Sequence, residues 1–179
     1  EDGHPWPHQL QHGKAAFLAK SINASMDPLQ QRLLLVLPLA YRRWASLRLQ
    51  DLAPWIRSWQ LDEMYVGVPG MDTEEAWYCT SLTLEHIRLQ GLAATGGAVD
   101  IYKCFDQIDR WLLTCVLLRA GMNSKVLNAY NRFHDQLKVY NSLAGGLGKP
   151  YSRKCSIPQG CPFSMCFISL LLRPWILLS

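Results

Sequence analysis

"AVDIYKCFDQIDR", residues 98–110, runs an apolar pair into Asp100, passes two aromatic positions to reach Asp106, and adds Asp109 close behind. The whole chain holds only 14 Asp and Glu, so three carboxylates this close together call for a reason. Like charges crowd at a cost unless a cation lies between them, and hard oxygen ligands are what magnesium takes. The apolar run before Asp100, entered from the turn "GLAATGG", reads as a buried strand. That would set the carboxylate at a strand end, on rigid backbone, within reach of a bound metal. Asp106 and Asp109 have a plainer reading: Asp106 caps the helix that follows, and Asp109 decorates its first turn, where negative charge is favourable.

Downstream, a helix is expected from about Gln107 to Arg119, ended by Gly121, and a second from near Ser124 to His134. "QLKVYNSLAGGLGKPYSRKCSI" carries two candidate strands around a glycine-rich connection, a hairpin signal. "PQGCPFSMCFISLLLRPWILLS" opens with a Pro/Gly turn and continues as an apolar helix. Upstream, "KAAFLAK" alternates too little to decide between strand and helix. The chain becomes helical after Pro38, with Leu39, Trp44, Leu47 and Leu52 on an apolar face and Arg42, Arg43 and Arg48 available to the other side. "VGVPGMDTEEAW" reads as a glycine–proline loop followed by a helix start at Asp72 and Glu75. Strands interspersed with helices, without a repeat, give an α+β fold.

The totals set bounds. At 179 residues and 49% hydrophobic there is enough apolar surface for a core. A net charge of +4, from 18 Lys and Arg against those acids, permits a polyanionic partner without demanding one and excludes a histone-like tail. The 6 cysteines include no C-x-x-C pair, which is the usage of a reducing, intracellular compartment. Neither a secretory leader nor a membrane span is expected, because the longest apolar runs are short or broken by Arg173-Pro174. Residues 1–12 read as an extension; His4, His8 and His12 recur every fourth residue there, but Pro5 and Pro7 oppose the helix that would stack them as metal ligands. "AGGLGKP" is not a phosphate loop, since Leu143 stands where its first glycine belongs and Pro150 where its Ser or Thr belongs.

Two motifs in order carry a family likeness. D-I-x-K-x-F-D at Asp100–Asp106, followed by P-Q-G-x-P-x-S at Pro158–Ser164, resembles the palm of reverse transcriptases of the non-LTR retrotransposon and group II intron type. "GKAAFLAK", ending in Lys20, and "QRLLLVLPLAYRRWASLR", with Arg32, are similar to that family's fingers segments. "VGVPGMDTEEAW" resembles its G-F-x-x-x-x-S-T-x-x-A segment. The likeness runs from about Gly13 to Ser179. Leu33 departs from the proline that usually follows the fingers arginine, while Ser156 for glycine and Cys104 for alanine are small-for-small changes.

The resemblance implies RNA-templated DNA synthesis: transfer of a nucleotide from a dNTP to a primer 3′-hydroxyl. It implies fingers over residues 13–92, a palm strand with the first catalytic aspartate over 93–109, further fingers helices and a hairpin over 110–156, and the palm Q-G loop and helix over 157–179. Asp100 would be catalytic and a ligand to two Mg²⁺, with the backbone carbonyl of Ile101 beside it. Lys20 and Arg32 would neutralise the triphosphate, Phe105 would exclude a 2′-hydroxyl, and Gln159 with Gly160 would lie beside the nascent base pair. Arg42, Arg43 and Arg48 would follow the RNA template and DNA primer backbone. The family's second aspartate pair lies after the Q-G helix, whereas the last acid here is Asp135. The resemblance therefore implies an incomplete palm, inactive alone, in an intracellular and nuclear setting. The competing expectation is a non-catalytic reverse-transcriptase-like remnant that binds RNA or a protein partner.

Overall fold

The computed structural model describes residues 3–19, 31–143 and 145–178, which form a mixed sheet and a set of helices, an α+β arrangement. β1 (His12–Ala19) pairs antiparallel with β2 (Gln31–Val36), which is followed by α1 (Leu39–Asp51), α2 (Ala53–Trp59) and α3 (Thr73–Leu89). A single turn, α4 (Cys104–Gln107), precedes α5 (Arg110–Arg119) and α6 (Ser124–Gln136). β3 (Lys138–Leu143) then joins β1 in parallel, β4 (Gly146–Leu147) closes the hairpin on β3, and α7 (Ser164–Ile176) ends the described chain. The sheet order is β2-β1-β3-β4. "KAAFLAK" is thus a strand, with Ala15 and its partner Leu35 both turned into the core.

Local signals set most helix ends. Asp72 caps α3 by accepting from Glu75 N at 2.9 Å, as expected. The cap of α5 is Asp109, which accepts from Leu112 N at 3.0 Å; Asp106, expected in that role, lies inside α4 instead. Ile108 between them is extended, so the helix expected from Gln107 starts three residues later. α6 carries the clearest stripe, with Val126, Leu127, Tyr130, Phe133 and His134 all buried at helical spacing.

The core is aromatic. Tyr41 stacks on Phe133 with centroids 3.6 Å apart, and Phe163 stacks on Phe167. Trp6, inside the segment expected to be an extension, packs edge-on against Tyr41, Trp44 and Phe133 and donates its indole N–H to Ala129 O at 2.9 Å. α1 buries Tyr41, Ala45 and the following Leu52, whereas Leu39 and Leu47 of the expected apolar face are 70% and 56% exposed. Tyr41 decides that rotation: its ring finds Phe133 and its hydroxyl finds His134, so it brings both area and a satisfied polar tip to the core.

The strand expected into Asp100 is not formed. Residues 92–101 carry no regular structure and are exposed, and a Cβ added at Gly96 or Gly97 would meet nothing within 4 Å. A strand exists only where a ladder partner lies alongside, and neither β2 nor β4, the sheet edges, pairs with this stretch. No helix among the described residues is long and apolar enough to cross a membrane.

His134 makes the core acid-sensitive. Its Nε2 lies 3.0 Å from the Tyr41 hydroxyl, with Tyr130 and Phe133 packed on its ring. Burial holds the imidazole well below its ordinary 6.5, with Arg110 and Arg153 adding to the shift. The unfolded chain then binds the proton that the folded one refuses, so this contribution is full above about pH 6.5 and is lost as pH falls below it. Urea unfolding should show a plateau above that pH and a decline below it of up to about 1.4 kcal/mol per pH unit. His134→Gln should flatten the decline; an unchanged slope would remove His134 as its source.

Candidate functional site

Three distant stretches of chain meet at one cleft. The loop of "PQG" lies on β2, where Leu35 N donates to Gln159 O at 3.1 Å. Gly160 makes the approach possible: its φ is +114°, and a Cβ there would stand 2.6 Å from the Leu35 carbonyl oxygen. On the other side, Ile157 N donates to Phe105 O at 2.9 Å and Ser156 N donates to Ile108 O at 2.8 Å, tying α4 to the same loop. A cleft of about 940 Å³ opens between these parts. Its walls include Arg32 from β2, Asp100, Ile101 and Phe105 from the α4 region, and Gln159 and Gly160.

Six residues singled out in the sequence therefore face one cavity, although they come from three separate stretches of chain. Lys20 lies outside the described residues. Arg42 and Arg43 border a second depression of about 430 Å³ that shares Gly160 and Ser164 with the first. Arg48 does not join them; it turns to Asp51 of its own helix at 2.5 Å. Phe105 is half-buried, packing on the core with one side and lining the cleft with the other.

The polar groups are unevenly committed. Asp106 accepts from Arg153 Nη2 at 3.2 Å, and Arg153 is in turn held through its carbonyl by Arg110, which also pairs with Asp135 at 2.6 Å. Asp100 is exposed and pairs with no cation among the described residues. The Ile101 carbonyl accepts from Cys104 N at 3.3 Å, one bond for an oxygen with two lone pairs. Desolvation and the Asp100 carboxylate both raise the Cys104 thiol, and burial pushes Cys161 up to about 11, so neither is a ready nucleophile.

No three His, Cys, Asp or Glu side chains among the described residues are grouped to hold a metal. Asp100 and the Ile101 carbonyl do not fit the expected pair of magnesium ions by themselves. They do fit one Mg²⁺ that arrives with a triphosphate, because that ion keeps waters and takes one or two carboxylates alongside phosphate oxygens.

Tyr151 and Arg153 also line the cleft, and Arg110 holds Arg153 from behind; no motif marks these three, and an arginine in "YSRKC" has no spacing that distinguishes it from a solvated one. Ser156 also proves more than a small-for-small change. Its φ is +87°, the left-handed region where glycine is at ease, and its buried Oγ has no hydrogen-bond partner among the described residues. Ser156→Gly relieves both costs and loses some chain entropy, for a net gain of about 1 kcal/mol, or a Tm higher by roughly 2–4 °C. Thermal unfolding of that variant checks it; a lower Tm would mean the serine conformation is unstrained.

Comparison of the chain with protein-family models and with curated proteins gives no match.

Proposed function

We propose that this chain is the fingers and part of the palm of an RNA-directed DNA polymerase, and that its cleft receives a deoxynucleoside triphosphate beside a primer on an RNA template. One observation carries the reading. Arg32, Asp100, Ile101, Phe105, Gln159 and Gly160, selected by likeness to separate motifs, line one cavity of nucleotide-accommodating size. Unrelated motif matches would have no reason to converge.

The chemistry assigned to each follows from its position. Arg32, exposed at the cleft wall, offers a planar fork to phosphate oxygens, and Lys20 is proposed to share that charge. Asp100 with the Ile101 carbonyl would hold a magnesium ion brought by the triphosphate, which when bound neutralises phosphate charge. Phe105, lining the cleft, would bar a 2′-hydroxyl on the sugar, and Gln159 with Gly160 would set a close-lying loop beside the base pair. Arg42 and Arg43, across Gly160, suit the sugar–phosphate backbone of the template.

The Phe105 gate supplies the experiment. Phe105→Ala should lower the preference for dGTP over GTP by about tenfold, read as the ratio of dissociation constants measured with magnesium and primed RNA. Equal ratios in a variant that remains folded would leave Phe105 as core packing only. The exposed, strandless setting of Asp100 favours a second reading, a reverse-transcriptase-like remnant that binds RNA without catalysis. Salt-sensitive RNA binding with no affinity for any dNTP would select it.

A further inference from the structure

Phe105 rides on α4, which has four residues and a left-handed Lys103 at its N-cap. So short a helix makes almost no bonds of its own, and its place is set from outside. Two of the outside holds are backbone bonds, Ile157 N to Phe105 O and Ser156 N to Ile108 O. The third is a side-chain pair, Arg153 Nη2 to Asp106 Oδ1 at 3.2 Å, made on the residue next to Phe105.

Arg153 is itself gripped. Arg110, only 9% exposed, donates one Nη to the Arg153 carbonyl and the other to Asp135 Oδ1 at 2.6 Å. The chain Asp135, Arg110, Arg153, Asp106 thus runs from α6 across α5 to the cleft. The side chains of Arg153 and Asp106 are 16% and 34% exposed, so their charge-assisted bond is partly shielded from water on the arginine side, where the direction of the guanidinium fork counts. Phe105 is half-buried, packed on the core with one part and facing the cleft with the rest.

We infer that Arg153 is a positioning residue: through Asp106 it fixes where the Phe105 ring stands against the nucleotide sugar, and Arg110 with Asp135 hold Arg153 in turn. The inference rests on the proposed reading of Phe105 as the sugar gate.

The test uses the whole chain with 4-fluorophenylalanine at position 105, read by ¹⁹F NMR, and the dGTP and GTP dissociation constants with magnesium and primed RNA. Arg153→Gln and Asp106→Asn should each shift or broaden the ¹⁹F line. Each should also lower the dGTP preference by about tenfold while leaving dGTP affinity within about twofold, since a displaced gate admits GTP without harming the correct sugar. Arg153→Lys, which keeps the charge and loses the fork, should fall between. If Arg153→Gln does not fold by circular dichroism, Asp106→Asn, at the more exposed partner, decides. An unmoved line and ratio in Asp106→Asn, with the ratio collapsed in Phe105→Ala, would overturn the relay and leave the gate standing. A ratio unmoved in Phe105→Ala would overturn the gate and the relay together.

Discussion

Asp100→Asn should abolish the magnesium dependence of dNTP binding to this chain, and should slow primer extension at least about a thousandfold in any form of the protein that extends a primer. The exchange keeps the size of the side chain and removes its charge. Asp106 cannot substitute, because Arg153 already occupies it, and no third carboxylate lines the cleft among the described residues. RNA binding should be unchanged, since Arg42 and Arg43 border a different depression. Titration of labelled dATP with and without magnesium, for both proteins, gives the answer. If magnesium strengthens binding equally in the two, Asp100 is not the ion's ligand.

The second large effect is on stability. Gly67 has φ +71°, and a Cβ there would sit 2.3 Å from the Met165 carbonyl oxygen and 2.6 Å from Cys166 N. Those are backbone atoms of α7, which cannot retreat: Cys166 and Phe167 are buried beside them, and Ser169 Oγ donates back to Val66 O. Gly67→Ala combines the left-handed penalty of about 1–2 kcal/mol with overpacking of about 1–3 kcal/mol. A loss of about 2–5 kcal/mol is expected, a large part of the stability of a domain this size. Gly70 is the control: its φ is +83°, but a Cβ there meets nothing within 4 Å, so Gly70→Ala should cost only the conformational part. Equal urea midpoints for the two variants would show that the α7 contact yields.

The same contact explains why "VGVPG" and "PQGCPFS" matter to one another. Gly67 admits the α7 backbone and Gly160 admits β2, so two glycines from separate loops let α7 and the turn before it lie close to the loop after α2 and to β2. A sequence reading gives each glycine a turn; it cannot say which backbone comes near.

Residue order alone determined what depends on neighbours a few positions away. Asp72 and Gly121 mark helix ends because a side-chain cap and a left-handed φ are local events, and the stripe of α6 is visible because its period is 3.6. Tertiary structure decided the rest. It left residues 92–101 without a strand, because a ladder needs a partner that no local pattern supplies. It turned α1 so that Tyr41 rather than Leu39 meets the core, because Phe133 and His134 stand 90 or so positions away in the chain and are unknown to a helical wheel. It gave Ser156 a backbone conformation that its side chain resists, and it brought Arg110 to Asp135 and Arg153 to Asp106, whose separate charges read as ordinary surface groups until the fold set them within ion-pair distance.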